Sequence, residues 1–147
     1  MIHTGEIYTK LAGTLKDLKT VFEIRSAVFV EEQGVSKEDD LDGSDALAIH
    51  ALAIIGDRPV GTGRIIAGPN AEATIGRMAV VLGWRRRGIG SNLLGFLENQ
   101  ARKKKIQRVV LNAQCYIKSF YSAKGYIEEG GTFMDAGIEH IKMGKTL

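Results

Sequence analysis

The chain has 147 residues, a formal charge of +3, 44% apolar and 25% charged residues, 18 glycines and 2 prolines. That length implies one domain, residues 1–147, burying roughly 70% of the surface that the unfolded chain exposes, so neither disulfides nor a structural metal is required. The single cysteine, Cys115, excludes an internal bridge. No basic stretch followed by an apolar run opens the sequence, and no window approaches the roughly 20 apolar residues of a membrane span. The expectation is a soluble, reduced, cytoplasmic protein without a membrane partner.

Residues 7–11 read as a first strand. Leu15, Leu18, Phe22, Ile24, Ala27 and Val28 recur at helical spacing behind Thr14, a fitting N-cap, and predict a helix over 14–30. The acidic segment over 31–45 fits a solvated loop better than a surface that attracts a cationic amine. Strands over 46–55 and 60–67 are joined by Gly56-Asp57-Arg58-Pro59, which reads as a hairpin turn. A further strand over 73–81 ends at Leu82-Gly83-Trp84 and the triplet Arg85-Arg86-Arg87. Ile89, Leu93, Leu94, Phe96, Leu97 and Ala101 then mark one face of a helix that runs into Arg102-Lys103-Lys104-Lys105, where cations suit the helix dipole. A strand over 109–111, a short helix over 117–123 stopped by Gly125, and strands over 127–133 and 138–143 complete the chain. The order β-α-β-β-β-α-β-α-β-β leaves several neighbouring strands without a helix between them, so the fold is an α/β (α+β) domain with a mixed sheet.

The stretch from Met78 to Leu94 carries the chemistry. Here a strand, a loop rich in glycine and arginine, and a helix start follow one another. A helix N-terminus leaves its first N–H groups unpaired and carries about half a positive charge. It therefore suits an anion, and Gly88 and Gly90 let the backbone approach a diphosphate closely. Guanidinium groups add donors for phosphate oxygens. Two common phosphate motifs fail: there is no Gly-x-x-x-x-Gly-Lys-Ser/Thr run, and the third glycine of a dinucleotide fingerprint is replaced by Leu93, or by Ile66 in the alternative pair Gly61 and Gly63.

Arg85-x-x-Gly88-x-Gly90 resembles the Gln/Arg-x-x-Gly-x-Gly/Ala signature of the GNAT superfamily of N-acetyltransferases. Phe120-Tyr121-Ser122-Ala123-Lys124-Gly125-Tyr126 resembles that superfamily's aromatic-Tyr-x-x-x-Gly-Phe/Tyr segment. Val28-Phe29-Val30-Glu31-Glu32-Gln33 and Gly137-Ile138-Glu139-His140-Ile141 are similar to its ElaA-like branch. The resemblance implies a mixed, mostly antiparallel central sheet flanked by helices and an acetyl-CoA co-substrate. The coenzyme's pyrophosphate would rest on the backbone of Arg85, Arg86, Arg87, Gly88, Ile89, Gly90 and Ser91. Its pantetheine arm would run along Met78, Ala79 and Val80, with an N–H near Val80 facing the thioester oxygen. Gln114 takes the coenzyme-binding position where many members carry asparagine. Tyr121 matches the tyrosine assigned as general acid, returning a proton to the thiolate leaving group. The acceptor implied is an amine, and a homodimer is common in the family.

For the general base, His50 and His140 titrate in the useful range, and Glu31 and Glu32 are carboxylate candidates. His3, His50 and His140 show no paired metal spacing, so no metal is expected. Asp40-Leu41-Asp42-Gly43-Ser44-Asp45 fails as a calcium loop, because the required glycine position falls on Asp45 and the closing glutamate on Ala51. No Gly-x-Ser-x-Gly elbow is present, and Cys115 reads as packing rather than a nucleophile. The Arg102–Lys105 patch lacks the interleaved aromatics of a nucleic-acid module, so no nucleic acid is expected. The rival readings are a non-catalytic acyl-CoA sensor and, behind it, a small nucleic-acid-binding module.

Overall fold

The computed structural model describes residues 6–147, so His3 and the N-terminal run that was read for a leader lie outside the described residues. Strand β1 (Ile7–Leu11) leads into helix α1 (Leu15–Arg25), whose N-cap Thr14 accepts a hydrogen bond from the Asp17 N–H at 3.0 Å. The predicted helix does not stay α-helical: over Ser26–Glu32 it widens into a π turn, with the Gln33 N–H reaching back to the Val28 carbonyl. Widening by one residue re-aims the side chains that follow, and such turns concentrate at functional sites. Within the acidic segment a one-turn helix, α2 (Lys37–Asp40), is capped by Ser36.

Strands β2 (Ile49–Ile55), β3 (Arg58–Ala67) and β4 (Glu72–Val80) form an antiparallel meander. Gly56 and Asp57 alone make the β2–β3 turn, with Gly56 at φ +65°, so Arg58 and Pro59 belong to β3 and not to the connection. Helix α3 (Ile89–Lys103), β5 (Arg108–Gln114), the short α4 (Lys118–Ser122), β6 (Ile127–Asp135) and β7 (Ile138–Thr146) follow. The seven strands make one sheet in the order β1-β2-β3-β4-β5-β7-β6. Every neighbouring pair is antiparallel except β4–β5, which is parallel.

Helices cover both faces. On one, Leu93, Leu94 and Leu97 of α3 pack into a core with Ala51, Val60, Ile75 and Met143. On the other, Val21, Ile24 and Val28 cover Leu52 and Ala79. Each fully buried leucine or isoleucine contributes about 1.5–3 kcal/mol relative to exposure, which sets the amphipathic face of α3 against the sheet. Tyr126 donates to Glu98 at 2.8 Å, and Lys145 donates to the same carboxylate, tying α3 to the β6–β7 side.

Candidate active site

The parallel pair β4–β5 is in register only at Glu72–Arg108, Ala73–Val109 and Thr74–Val110. Beyond Thr74 the strands diverge, and a cleft of about 1220 Å³ opens between them. The β4 backbone turns two groups into this gap. Val80 stands opposite Gly61, and the Val81 N–H donates to the Val60 carbonyl at 2.9 Å. In an antiparallel ladder that makes Val80 a non-hydrogen-bonded position, its own N–H and C=O pointing away from β3. A bulge between Thr62 and Arg64 shifts the register, and Arg77 there has φ +51°. Gly63 leaves room for Met78, since a Cβ at Gly63 would sit 2.5 Å from the Met78 sulfur.

At the wide end of the cleft lies the glycine and arginine loop. Gly88 adopts φ +82° as the N-cap of α3, a left-handed conformation that favours glycine, and no side chain caps the helix. The first α-helical bond runs from the Asn92 N–H to the Gly88 carbonyl, which leaves the N–H groups of Ile89, Gly90 and Ser91 without helical partners. Gly90 faces Phe120 of α4, where an added Cβ would come within 3.4 Å of the ring. The three arginines differ. Arg87 stacks on Trp84, 4.8 Å from the ring centroid, and Arg86 is exposed on the cleft wall. Arg85 is engaged by protein: its Nε donates to the Val80 carbonyl at 2.9 Å, and its two terminal nitrogens hold Glu32 at 2.6 and 2.7 Å. The guanidinium lowers the Glu32 pKa.

Tyr121 and His140 line this cleft; His50 does not. Tyr121 is buried edge-on between Phe120 and Tyr126, and burial pushes its phenol up to about 12. Its hydroxyl takes part in no side-chain hydrogen bond among the described residues. The His140 Nδ1–H donates to the Ile138 carbonyl at 2.7 Å, which leaves the lone pair on Nε2. His50 instead sits on β2 with Nε2 3.0 Å from the Asp45 carbonyl and a buried, unpartnered Nδ1. Of the carboxylate candidates, Glu32 is spent on Arg85, and Glu31 is not part of the cleft wall. Gln114 also reaches the cleft, locked in a reciprocal amide pair with Gln33 at 3.0 and 3.3 Å. Burial raises the Cys115 thiol pKa, with Glu139 adding to it. Among the described residues no group of three His, Cys, Asp or Glu is placed to hold a metal ion. No described helix is long and apolar enough to cross a membrane.

The acidic segment is exposed over most of its length, as expected of a solvated loop, but its end from Asp40 to Asp45 is pinned. Arg25, fully buried, donates to the Asp40 carbonyl at 2.7 Å and to Asp45 at 2.6 Å, and Asp40 is itself buried. Arg64 grips Asp42 at 2.6 Å and Asp45 at 2.9 Å, while Arg77 pairs with Asp40 and Asp42 at 3.2 Å each. The segment is thereby bolted over the deep end of the cleft by arginines from α1, β3 and β4. Hydrogen bonding from Arg64 holds Asp42 well below the carboxylate range. Burial works against ionising Asp45, but Arg25 and Arg64 outweigh it and its pKa is also lowered. Groups with depressed folded pKa values stabilise above the unfolded value, near 3.9, and lose that contribution as pH falls through the folded values. Urea titrations between pH 7 and pH 2 should therefore show stability declining below about pH 4. A profile flat across that window would contradict the network.

The family model described as "Acetyltransferase (GNAT) domain" matches residues 29–147. A Bacillus subtilis protein named for acetyltransferase activity is 37% identical over 134 residues, covering 88% of this chain and 90% of that one. The crystal structure of Escherichia coli ElaA matches with a TM-score of 0.82 at 27% identity, covering 99% of each chain. A crystal structure from Lactobacillus plantarum shares the fold, with a TM-score of 0.89 at 24% identity over 96% of this chain and 98% of its own. These likenesses make the protein an acyltransferase enzyme. The chain belongs to the GNAT acetyltransferase family, with ElaA among its relatives.

Proposed function

We propose that the protein is an acetyl-CoA-dependent N-acetyltransferase that moves an acetyl group to a primary amine by direct attack in a ternary complex. The observation that carries this reading is the splay of β4 from β5, which opens directly onto the uncapped start of α3. An extended pantetheine arm fits such a gap as an added strand, taking the Val80 C=O that β3 leaves free and leaving the Val80 N–H to the thioester oxygen. The diphosphate then meets the N–H groups of Ile89, Gly90 and Ser91, with Arg86 on the wall beside them.

The chemistry balances without a covalent enzyme intermediate. The amine nitrogen, having lost its ammonium proton, attacks the thioester carbon, and the oxyanion that develops is met by the Val80 N–H. The carbon–sulfur bond then breaks, Tyr121 gives its proton to the thiolate, and the second proton that the nitrogen sheds on becoming an amide restores the phenol through water. His140 is the base candidate, because it lines the cleft and its Nδ1–H bond leaves Nε2 to accept the amine's proton, directly or through water. His50 lies outside this cavity.

Calorimetric titration with acetyl-CoA, followed by thiol release over polyamines, amino acids, aminoglycosides and peptide N-termini, tests the assignment. Saturable binding and thiol release with at least one amine are expected. No binding at high micromolar acetyl-CoA would refute the coenzyme assignment, and binding without release across the panel would favour a sensor.

A further inference from the structure

Val80 presents the C=O that an added strand would need, yet that oxygen already has a donor. Arg85 Nε lies 2.9 Å from it, and the same guanidinium is held from its other side by both oxygens of Glu32. Glu32 comes from the π turn, whose Val28 packs with Ala79 of β4, so the contact ties the loop after β4 to the segment that follows α1. Both side chains are about one-third exposed, at 37% and 33%, so packing does not lock Arg85 in place. What holds it is a charge-assisted, bidentate pair, roughly twice as strong as neutral hydrogen bonds.

We propose that Glu32 is a positioning residue that latches Arg85 against the Val80 carbonyl on the cleft wall, and that an acyl-CoA must displace Arg85 from that carbonyl before its pantetheine amide can lie along β4. The inference rests on reading the cleft as the acyl-CoA site. It concerns a step that precedes chemistry. A latch of this kind lowers the apparent affinity by the fraction of molecules that are open, so weakening it tightens binding without adding a contact to the ligand. Because only the pantetheine arm competes for Val80, the nucleotide half of the coenzyme should be indifferent to the latch.

The test is calorimetric titration of the wild type, Glu32→Gln and Glu32→Ala with two probes: acetyl-CoA, and adenosine 3′-phosphate 5′-diphosphate, which lacks the pantetheine arm. Both variants should bind acetyl-CoA about three- to tenfold more tightly than the wild type, with nucleotide affinity unchanged. Thermal melts establish that each variant is folded, as expected for a half-exposed site. Unchanged or weaker acetyl-CoA binding in both folded variants would overturn the latch. So would an equal gain for the nucleotide, which would mean that freed Arg85 simply serves the diphosphate. A wild type and both variants that bind the nucleotide but gain nothing from the pantetheine arm would overturn the latch alone. A wild type that binds neither probe would overturn the coenzyme reading as well.

Discussion

Replacing Arg25 with methionine should destabilise the protein by about 3–5 kcal/mol, because breaking a buried ion pair from one side leaves interior carboxylate charge undercompensated. Arg25 has no exposed surface, and Asp40 is 5% exposed. Arg25 donates to the Asp40 side chain and carbonyl and to Asp45, so its loss leaves Asp40 to Arg77 alone and Asp45 to Arg64 at 2.9 Å. Methionine fills much of the volume, which separates the charge effect from a cavity. The deficit should shrink as pH falls, since protonated carboxyls no longer need the guanidinium. Urea denaturation at pH 7 and pH 3 measures both. A loss below about 1 kcal/mol at pH 7 would place the pair among surface ion pairs, contrary to its burial.

Tyr121→Phe should lower kcat about 10²–10⁴-fold while leaving acetyl-CoA affinity within a factor of two, if Tyr121 is the proposed general acid. The substitution keeps the ring that packs edge-on against Phe120 at 5.0 Å and Tyr126 at 5.9 Å. It also breaks no side-chain hydrogen bond among the described residues, so stability should change little. With its phenol pushed up to about 12 by burial, Tyr121 carries its proton throughout the range in which amines lose theirs. The wild-type rate should therefore rise with pH as the acceptor deprotonates and show no fall from Tyr121 until about pH 12. The same shift makes the buried phenol neutral in stability below about pH 10, with its contribution lost as pH rises from there through 12. An unchanged kcat in the phenylalanine variant would remove Tyr121 from the mechanism.

Local pattern carried much of the fold. The spacing of Ile89, Leu93, Leu94 and Leu97 already described the buried face of α3, and Gly88 stands at the left-handed N-cap that its loop requires. Apart from the π turn and the tighter β2–β3 turn, the departures are long-range. Arg25 meets Asp40 and Asp45 across 15 and 20 positions, and Arg64 meets Asp42 across 22, separations with no helical or strand period to reveal them. An acidic run whose only internal cation is Lys37 therefore reads as solvated. The two histidines looked alike because a strand's sequence does not say which end of the sheet opens into the cleft. In the sequence Glu32 stands out only as a carboxylate candidate for the base, and Gln33 only within a run that carries the family likeness. Their roles depend on the π turn, which no single residue announces.

The divergence of β4 from β5 also has a mechanical meaning. On either side of it the strands are joined by long antiparallel ladders, β1 to β4 and β5 to β7, so the sheet is two stiff plates meeting at a short seam of Glu72–Arg108, Ala73–Val109 and Thr74–Val110. Helix α3, through Glu98 with Tyr126 and Lys145, acts as the brace behind that seam. A ligand lying between the plates would supply the rungs the seam lacks. The coenzyme would then be a structural member as well as a reactant, and the fold would be at its loosest whenever it waits for one.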